Sequence, residues 1–269
     1  MKKTLITVAF ILLGPMIILS QTVSFKLFEC SDTTGSRIVT DNLGNIYLLE
    51  KSNLKKFDAN GVFLYSYSEL ADGLISAIDV SDPLKIIILN ADFAKIKFLD
   101  NKLNVKNTPV SLSDLGFNSV TLAAASYESG FWIFDPLSNQ LVRFDNNLQI
   151  SQTSGNISDL IGHGLQPDFM LENDNILYLN DPMYGILLFD RYGTYLKTIP
   201  IKNIRSFQIF NDMIFFTEAN ALKSVDIKTY EEKIMKLPLL DEEIIGAAIS
   251  STKISLITIT KFCIFALNK

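Results

Sequence analysis

One short motif recurs at nearly even spacing along the chain, and it restricts the fold more than any other feature of the sequence. The motif is an apolar residue, two variable residues, a second apolar residue and an Asp, which the last copy replaces with Asn. Its copies end, with successive spacings of 42, 45, 45, 36 and 42 residues, at Asp58, Asp100, Asp145, Asp190, Asp226 and Asn268. Repetition at a period of about 20–50 residues indicates a fold assembled from one repeated supersecondary unit.

A second marker keeps phase with the first. Twelve or fourteen residues before each Asp or Asn lies an apolar residue that follows a turn, namely Ile46, Ile86, Phe131, Ile176, Ile214 and Ile254. Around these markers each repeat shows short runs of β-branched and aromatic residues joined by turns of Asn, Asp and Gly, which is typical of antiparallel strands. No ten-residue window has helical periodicity, so we predict an all-β fold with four strands in each repeat. In the first repeat these strands are 37–40, 46–49, 54–57 and 62–67.

Six four-stranded units of this length predict a six-bladed β-propeller of antiparallel blades. The sixth repeat supplies strands only at 246–250, 253–258 and 261–267, whereas 22–28 is a spare strand before the first repeat. We expect this N-terminal strand to be added to the last blade, because that closes the ring and removes an exposed edge. A single β-sandwich is the alternative, but it does not require two markers to recur in phase.

The repeats resemble six-bladed β-propellers of NHL-like and TolB-like repeat type, whose blades carry the signature apolar-x-x-Phe-Asp-x-x-Gly-x-apolar. The signature is clearest at 54–63 and 186–195. The second, third and fifth repeats depart from it, with Leu103, Leu148 and Thr229 at the Gly position. The resemblance implies one propeller domain over residues 21–269 and is specific for architecture, not for an activity.

Residues 1–20 have the features of a cleaved secretory signal peptide. Lys2 and Lys3 precede an apolar run at 5–19, and Ser20 offers a small residue at the cleavage point. A membrane anchor is the alternative, but a spanning helix needs about 20 apolar residues and this run is shorter. We therefore expect a periplasmic or secreted protein with no transmembrane anchor in its mature chain.

The charge and the motif content narrow the possible functions. A net charge of −5 and a pI near 5.0 argue against nucleic acid as the main partner, because phosphate binding needs a concentrated basic surface. The sequence has no Walker loop, Gly-x-Ser-x-Gly elbow or Cys-x-x-Cys motif, and with one His and two distant Cys a structural zinc site is implausible. Strong repetition without a catalytic constellation favours a non-enzymatic scaffold of the bacterial cell envelope that needs no cofactor. Its partner would be a protein of the cell envelope, which could belong to a membrane-associated complex, or another ligand. This inference of function from fold is an analogy.

Six residues at equivalent positions of the repeats support an alternative function. They lie four places beyond the second marker, at the expected exit of each second strand: Glu50, Asn90, Asp135, Asn180, Glu218 and Thr258. If they converge at the channel mouth, the first five could hold Ca²⁺, which prefers carboxylate and amide oxygens. The resemblance of such a ring to lactonase-like propellers implies a Ca²⁺-dependent hydrolase. A solvated ring of polar loops, which any propeller mouth needs, is the competing interpretation.

Four loop residues are candidates for contact with a partner. Phe93 and Tyr184 are loop aromatics, although burial would also explain them, and Asp181 adds charge at the same mouth. His163, in the loop between the third and fourth repeats, is the sole histidine; it can serve as a general base, but no nucleophile or second ligand accompanies it. The repeated Asp residues are expected to be structural, since a carboxylate that opens a tight turn accepts hydrogen bonds from backbone N–H groups two residues on.

Cys30 and Cys263 are the only cysteines. Export places them where disulfides persist. Cys263 falls in the third strand of the sixth repeat, and Cys30 ends the N-terminal strand expected beside it, so neighbouring strands could bring their Cα atoms within the roughly 4.4–6.8 Å that a bridge requires. Two buried free thiols remain the alternative, because the inferred register can carry Cys30 past Cys263.

Overall fold

The computed structural model describes residues 24–33, 35–238 and 240–268. It shows a ring of six blades, each a sheet of four antiparallel strands, so the predicted six-bladed β-propeller is confirmed. The expected signal peptide at 1–20 lies outside the described residues. Within those residues, no helix has the length and apolar character that a membrane span requires.

The strands follow the chain in order through the blades. The first strand, β1 (Ser24–Asp32), precedes blade 1. Blade 1 contains β2 (Arg37–Thr40), β3 (Ile46–Glu50), β4 (Asn53–Phe57) and β5 (Phe63–Ser68). Blade 2 contains β6 (Ala77–Asp79), β7 (Ile86–Asn90), β8 (Lys95–Leu99) and β9 (Val110–Ser111). Blade 3 contains β10 (Leu122–Ala125), β11 (Phe131–Asp135), β12 (Gln140–Phe144) and β13 (Ile150–Thr153).

The second half of the ring has the same organisation. Blade 4 contains β14 (Phe169–Asn173), β15 (Ile176–Asp181), β16 (Gly185–Asp190) and β17 (Tyr195–Ile199). Blade 5 contains β18 (Gln208–Phe210), β19 (Met213–Glu218), β20 (Ala221–Asp226) and β21 (Glu232–Lys236). Blade 6 contains β22 (Gly246–Ile249), β23 (Lys253–Ile257) and β24 (Lys261–Asn268), together with β1. Among the described residues, the helical segments are three short 3₁₀ turns and one α-helix: Leu70–Asp72, Ala91–Phe93, Ser113–Leu115 and α1 (Ile157–Ile161).

The register explains why the two sequence markers recur in phase. In blade 1 the second marker, Ile46, lies opposite Phe57, the apolar residue just before the Asp of the first marker. In blade 2 Ile86 lies opposite Leu99 in the same way, although its intervening loop is two residues longer. In blades 1, 2, 3 and 5 the two residues are cross-strand partners, so selection for one pair of buried neighbours fixes both markers together. The register differs in the other two blades, where Ile176 faces Asp190 and Ile254 faces Phe265.

The core consists of apolar clusters between neighbouring blades. Between blades 3 and 4, for example, Trp132 and Phe134 pack with Leu177 and Leu179. The same arrangement joins blade 6 to blade 1, so the packing continues around the ring. Each sheet is therefore covered on both faces, and a middle strand such as β7 is buried at every position, which accounts for its lack of polar alternation.

The repeated Asp residues have the predicted structural role. Asp190 Oδ1, for instance, accepts hydrogen bonds from the backbone N–H groups of Tyr192 (2.8 Å) and Thr194 (2.9 Å). The same pair of bonds closes the turns that begin at Asp58, Asp100 and Asp145. The third residue past the Asp has a positive φ, which suits Gly193, but Leu103 takes the same conformation at φ 64°. Burial of the Leu103 side chain in the core between blades 1 and 2 offsets that strain.

The outer edge of blade 6 is formed by the N-terminal strand. In the structure β1 runs antiparallel to β24 and continues to Asp32, four residues past its predicted end. The register shifts by one between Leu27 and Glu29, and this shift puts Cys30 opposite Cys263; without it Cys30 would face Phe262. The structure joins the two cysteines in a disulfide, with their Cα atoms 4.0 Å apart.

Candidate functional site

The topology sorts the connections of the blades onto two faces of the ring. Successive strands alternate in direction, so the turns after the first and third strands of each blade share one face, which we call the turn face. The connections after the second and fourth strands share the opposite face, the loop face. The first strand of each blade borders the central channel, and these inner strands are β2, β6, β10, β14, β18 and β22.

A cavity of about 920 Å³ occupies the channel and opens on the turn face. We call it the channel pocket. Its walls come from the inner strands of five blades, through apolar residues that include Ile38, Ile78, Met170, Ile209 and Ala248. Its rim is made of the first turns of the same blades, with polar residues that include Asn42, Ser81, Asp174, Asp212 and Ser251.

Side chains from three blades fill the loop-face end of the channel. The Arg37 guanidinium reaches from blade 1 toward blade 4, with its carbon 5.6 Å from the centroid of the Phe169 ring. Phe207 of blade 5 meets the same ring edge-on, with centroids 5.0 Å apart. Asp168 lies close enough to Arg37 for their charges to interact; burial raises the pKa of this carboxyl, and the hydrogen bond from Asn180 and the charge of Arg37 oppose that rise. The channel is thus a pocket with its opening on the turn face.

Two carboxylates of the pocket wall flank the end of β10. Asp79 of blade 2 is buried and accepts hydrogen bonds from the backbone N–H groups of Ser81 (2.8 Å) and Ala125 (2.9 Å). Burial raises the pKa of Asp79, and the charge of nearby Glu172 also raises it. The end of β10 lies behind these two side chains, so blade 3 contributes none of the described residues that line the pocket.

Glu172 of blade 4 is bound to blade 3 by side-chain hydrogen bonds. Its carboxylate accepts from Ser126 Oγ (2.6 Å), Trp132 Nε1 (2.7 Å) and the Tyr127 backbone N–H (3.1 Å). Ser126 Oγ also accepts from Nε of the buried Arg143 (2.8 Å), which links this cation to Glu172 through one hydroxyl. No ion pair among the described residues includes Asp79 or Glu172.

The lining of the pocket is acidic. Among the described lining residues there is no Lys, Arg or His, and the carboxylates are Asp41, Asp79, Glu172, Asp174 and Asp212. Two of them are already engaged: Asp41 accepts from three neighbouring groups of its turn and from Tyr47, and Asp212 pairs with Lys228 at 2.7 Å. The other three also accept hydrogen bonds within the protein, Asp79 and Glu172 from the donors given above and Asp174 from Asn173 Nδ2 (3.2 Å), but every donor to them is uncharged.

The predicted ring of metal ligands lies on the loop face, away from the pocket opening. Each member has partners of its own: Glu50 with Thr33 and Lys55, Asn90 with the Leu74 carbonyl, Asp135 with Ser138, Asn180 with Asp168 and the Ile204 carbonyl, Glu218 with Lys223, and Thr258 with Glu242. The Oδ1 atoms of Asn90 and Asn180 are buried without a hydrogen-bond partner. In the part of the chain that the structure describes, no group of three or more His, Cys, Asp or Glu side chains is placed to hold a metal ion.

The four predicted partner-contact residues also lie on the loop face, but they differ in exposure. Phe93 is 53% exposed. Asp181 is only 2% exposed, and its carboxylate accepts from the backbone N–H groups of Gln166, Met183 and Tyr184, so it shapes the loops around it. The rings of His163 and Tyr184 stack with centroids 3.3 Å apart, and Nδ1 of His163 is buried without a partner.

Asp79 and Glu172 were not among the residues predicted from sequence. The signal available was a charged side chain inside the first strand of a repeat or at its end, because that strand borders the channel. Arg37 begins β2, Asp79 ends β6 and Glu172 lies within β14. Polar residues on the inner strands therefore indicate the channel. The loop positions predicted from the sequence lie on the loop face instead.

Comparison with known proteins shows the fold. No protein-family description matches the chain, and no curated protein matches its sequence. A streptogramin B lyase structure is similar, with a TM-score of 0.62 and 15% identity over 91% of this chain and 98% of that one. The WD40 domain of Neurospora crassa Pan2 is similar with a TM-score of 0.66 and 10% identity, over 91% of this chain and 96% of that one. The extracellular domain of a one-component system from B. thetaiotaomicron is similar with a TM-score of 0.54 and 13% identity, over 86% of this chain and 32% of that one.

Proposed function

We propose that this chain is a non-enzymatic binding scaffold of the bacterial cell envelope that takes a small ligand into its channel pocket. The channel pocket is the observation that carries the proposal. Its volume of about 920 Å³ is near the upper end of the roughly 300–1,000 Å³ typical of small-molecule sites. Its apolar walls with a few polar groups also have the composition of such sites.

Two features support export to the periplasm or the medium. The first is the apolar run at 5–19 with its basic start, which has the form of a signal peptide. The second is the disulfide between Cys30 and Cys263, because disulfides persist mainly in oxidising compartments. The repeat signature at 54–63 and 186–195 supports an NHL-like or TolB-like repeat type.

The chemistry of the pocket favours binding over catalysis. The sole histidine of the sequence lies on the loop face, stacked on Tyr184, so it cannot serve as a base in the pocket. The two wall carboxylates, Asp79 and Glu172, are each held by donors from blade 3 or their own turn. Such fixed acceptors are suited to orienting a bound ligand.

A blocking substitution tests the site. Ala247 lines the pocket, is half-buried and packs at the margin of the core between blades 5 and 6, so the large side chain of Ala247→Trp narrows the cavity at this wall. Ala71→Trp on the exposed loop face is the matched control. In a ligand-observed NMR screen of neutral, cationic and anionic fragments, we expect a set of hits that bind the wild type and the control but lose at least tenfold in affinity in Ala247→Trp. An absence of hits, or hits that bind Ala247→Trp equally well, would contradict binding in the channel pocket.

Exposed apolar side chains on the loop face favour an envelope protein as a second, separate partner. These side chains follow second or fourth strands of five different blades: Leu70, Phe93, Leu137, Leu160, Met183 and Ile259. The turn face also exposes apolar side chains, among them Leu43, Leu84 and Tyr192, so the preference for the loop face is tested by comparing the two faces directly.

Charge substitutions on that face test the second partner. In co-purification from the native envelope, Leu137→Asp and Met183→Asp should lower recovery of a specific protein at least fivefold, because each places a carboxylate in the apolar contact. Leu84→Asp, at a similarly exposed position on the turn face outside the pocket lining, is the control and should retain the protein. Equal recovery with all three variants would show that the loop face is not the contact surface.

A further inference from the structure

We infer that the channel pocket selects an organic cation, an amine or guanidinium carried on an apolar body; this rests on the proposed function, because it names the ligand class for the same pocket. The cavity supplies the site, and the chemistry of its wall supplies the selectivity. Shape, charge and unused hydrogen-bonding capacity each point to the same class of ligand.

The charge of the wall is of one sign. The described lining residues include five carboxylates and no cationic side chain. Lys228, which pairs with Asp212 at the exposed rim, is a partner from outside the lining. A cleft with low-dielectric walls and one sign of charge concentrates the field, so it attracts the opposite charge more strongly than an open surface does.

Asp79 and Glu172 retain acceptor capacity. An ionised carboxylate has about four lone-pair sites. The protein uses three on Asp79, from the Ser81 hydroxyl and the backbone N–H groups of Ser81 and Ala125, and three on Glu172, so each carboxylate keeps about one free acceptor site. All the donors are uncharged groups of the protein, so a ligand ammonium can add both a hydrogen bond and a counter-charge.

The proximity of these two carboxylates adds a reason to favour a cation. Burial is the main cause that raises the pKa of Asp79, and the charge of Glu172 adds to it, as expected for two like charges that both contact the end of β10. Among the described residues, Arg143 reaches Glu172 indirectly, through the Ser126 hydroxyl and the Tyr127 backbone, and Arg37 lies at the other end of the channel beside Asp168. A bound cation near the pair would relieve the repulsion, whereas a bound anion would increase it.

The remaining wall fits an apolar body. Ile38, Ile78, Met170 and Ala248 form the sides, and Phe169 contributes an aromatic ring toward the closed end. A five-residue inner strand such as β14 spans about 16 Å, so the pocket accommodates a ligand that is longer than a simple inorganic ion or amine. The cationic end would lie toward the turn face, where the carboxylates are, and the apolar body would lie deeper.

Three charge-matched probes test the ligand class. Each carries a dansyl sulfonamide on a five-carbon tether, which ends in an ammonium, an acetylated amine or a carboxylate. Dansyl fluorescence increases in an apolar site, so titration gives Kd for all three. We expect the ammonium probe to bind the wild type at least tenfold more tightly than the carboxylate probe, and added salt to reduce that ratio.

Charge-removing variants locate the selectivity. Glu172→Gln keeps an acceptor oxygen for Trp132 and Ser126, and Asp174→Asn changes an exposed rim residue that can be altered without unfolding the chain. Each should reduce the ammonium-to-carboxylate ratio at least threefold. Glu128→Gln, an exposed turn-face residue outside the pocket lining, should leave the ratio unchanged.

The outcomes separate the ligand class from the site. Suppose that the three probes bind the wild type equally, or that the carboxylate probe binds best, and that Ala247→Trp abolishes this binding. The proposed cationic ligand class is then wrong, whereas binding in the channel pocket is supported. If no probe binding depends on Ala247→Trp, both the class and the pocket are overturned. Glu128→Gln acting as strongly as Glu172→Gln and Asp174→Asn would show a general surface charge effect and overturn the class.

Discussion

In a chain that starts at residue 21, removal of residues 21–28 is expected to lower the thermal unfolding midpoint by about 10 °C. The truncation deletes the part of β1 that pairs from Ser24↔Asn268 to Leu27↔Phe265 and exposes the edge of β24. It also removes Phe25, whose ring meets Phe265 edge-on at 6.4 Å. Hydrogen bonds worth about 1 kcal/mol each, together with partial burial of a Phe side chain, make a loss of about 3–5 kcal/mol. For a chain of this size each kcal/mol shifts the midpoint by about 2–4 °C.

The measurement is a thermal melt followed by far-UV circular dichroism, with solubility checked by ultracentrifugation. Truncation of residues 21–23 alone is the matched control, since it leaves β1 intact. A midpoint for the longer truncation within 2 °C of this control, with unchanged solubility, would show that the N-terminal strand does not close blade 6.

The blades were predictable because most repeats bury the same pair of neighbours. Ile46 and Phe57 face each other across β3 and β4, so a mutation at either position would leave a gap against the next blade. The equivalent pair recurs in blades 2, 3 and 5, and it keeps the sequence markers in phase even where the hairpin length changes. A buried cross-strand pair leaves a strong signal in a single sequence.

Two backbone details could not be predicted in the same way. The turns at Leu103 and Leu148 adopt positive φ values of 64° and 62° without the Gly that the signature places there. At Leu103 the cost of roughly 1–2 kcal/mol is offset by burial, which depends on a neighbouring blade. The one-residue shift near Phe28 likewise depends on the partner strand, and it decides which residue Cys30 faces.

The candidate site was predicted on the other face because repeat alignment finds what the blades share. Glu50, Asn90 and Asn180 occupy equivalent strand ends, and equivalence suggested a ring. The channel pocket depends instead on what the blades do not share. Asp79 binds the end of β10, 46 residues away, and Glu172 binds groups 40 to 46 residues before it. Side chains that pair between blades at unrepeated positions leave no periodic signal.

Breaking the bridge between Cys30 and Cys263 is expected to lower the unfolding midpoint by about 10 °C. The bridge joins positions 233 residues apart, and a crosslink over so long a loop stabilises by about 3–5 kcal/mol through the entropy of the unfolded chain. Cys30→Ala is the informative variant, because Cys30 is exposed whereas Cys263 is fully buried and its free thiol packs as a small apolar group. The expected loss is smaller where residual structure persists in the unfolded chain.

Reduction supplies the internal control for the bridge. A phosphine reductant should lower the wild-type midpoint to that of Cys30→Ala and should leave the variant unchanged, since the variant has no bridge to break. Intact mass after alkylation of freshly isolated, unreduced protein checks the bond directly, with no alkylated thiol expected. Two alkylated thiols, or a wild-type midpoint that does not respond to reduction, would contradict the bridge and leave strand pairing between β1 and β24 as the closure of the ring.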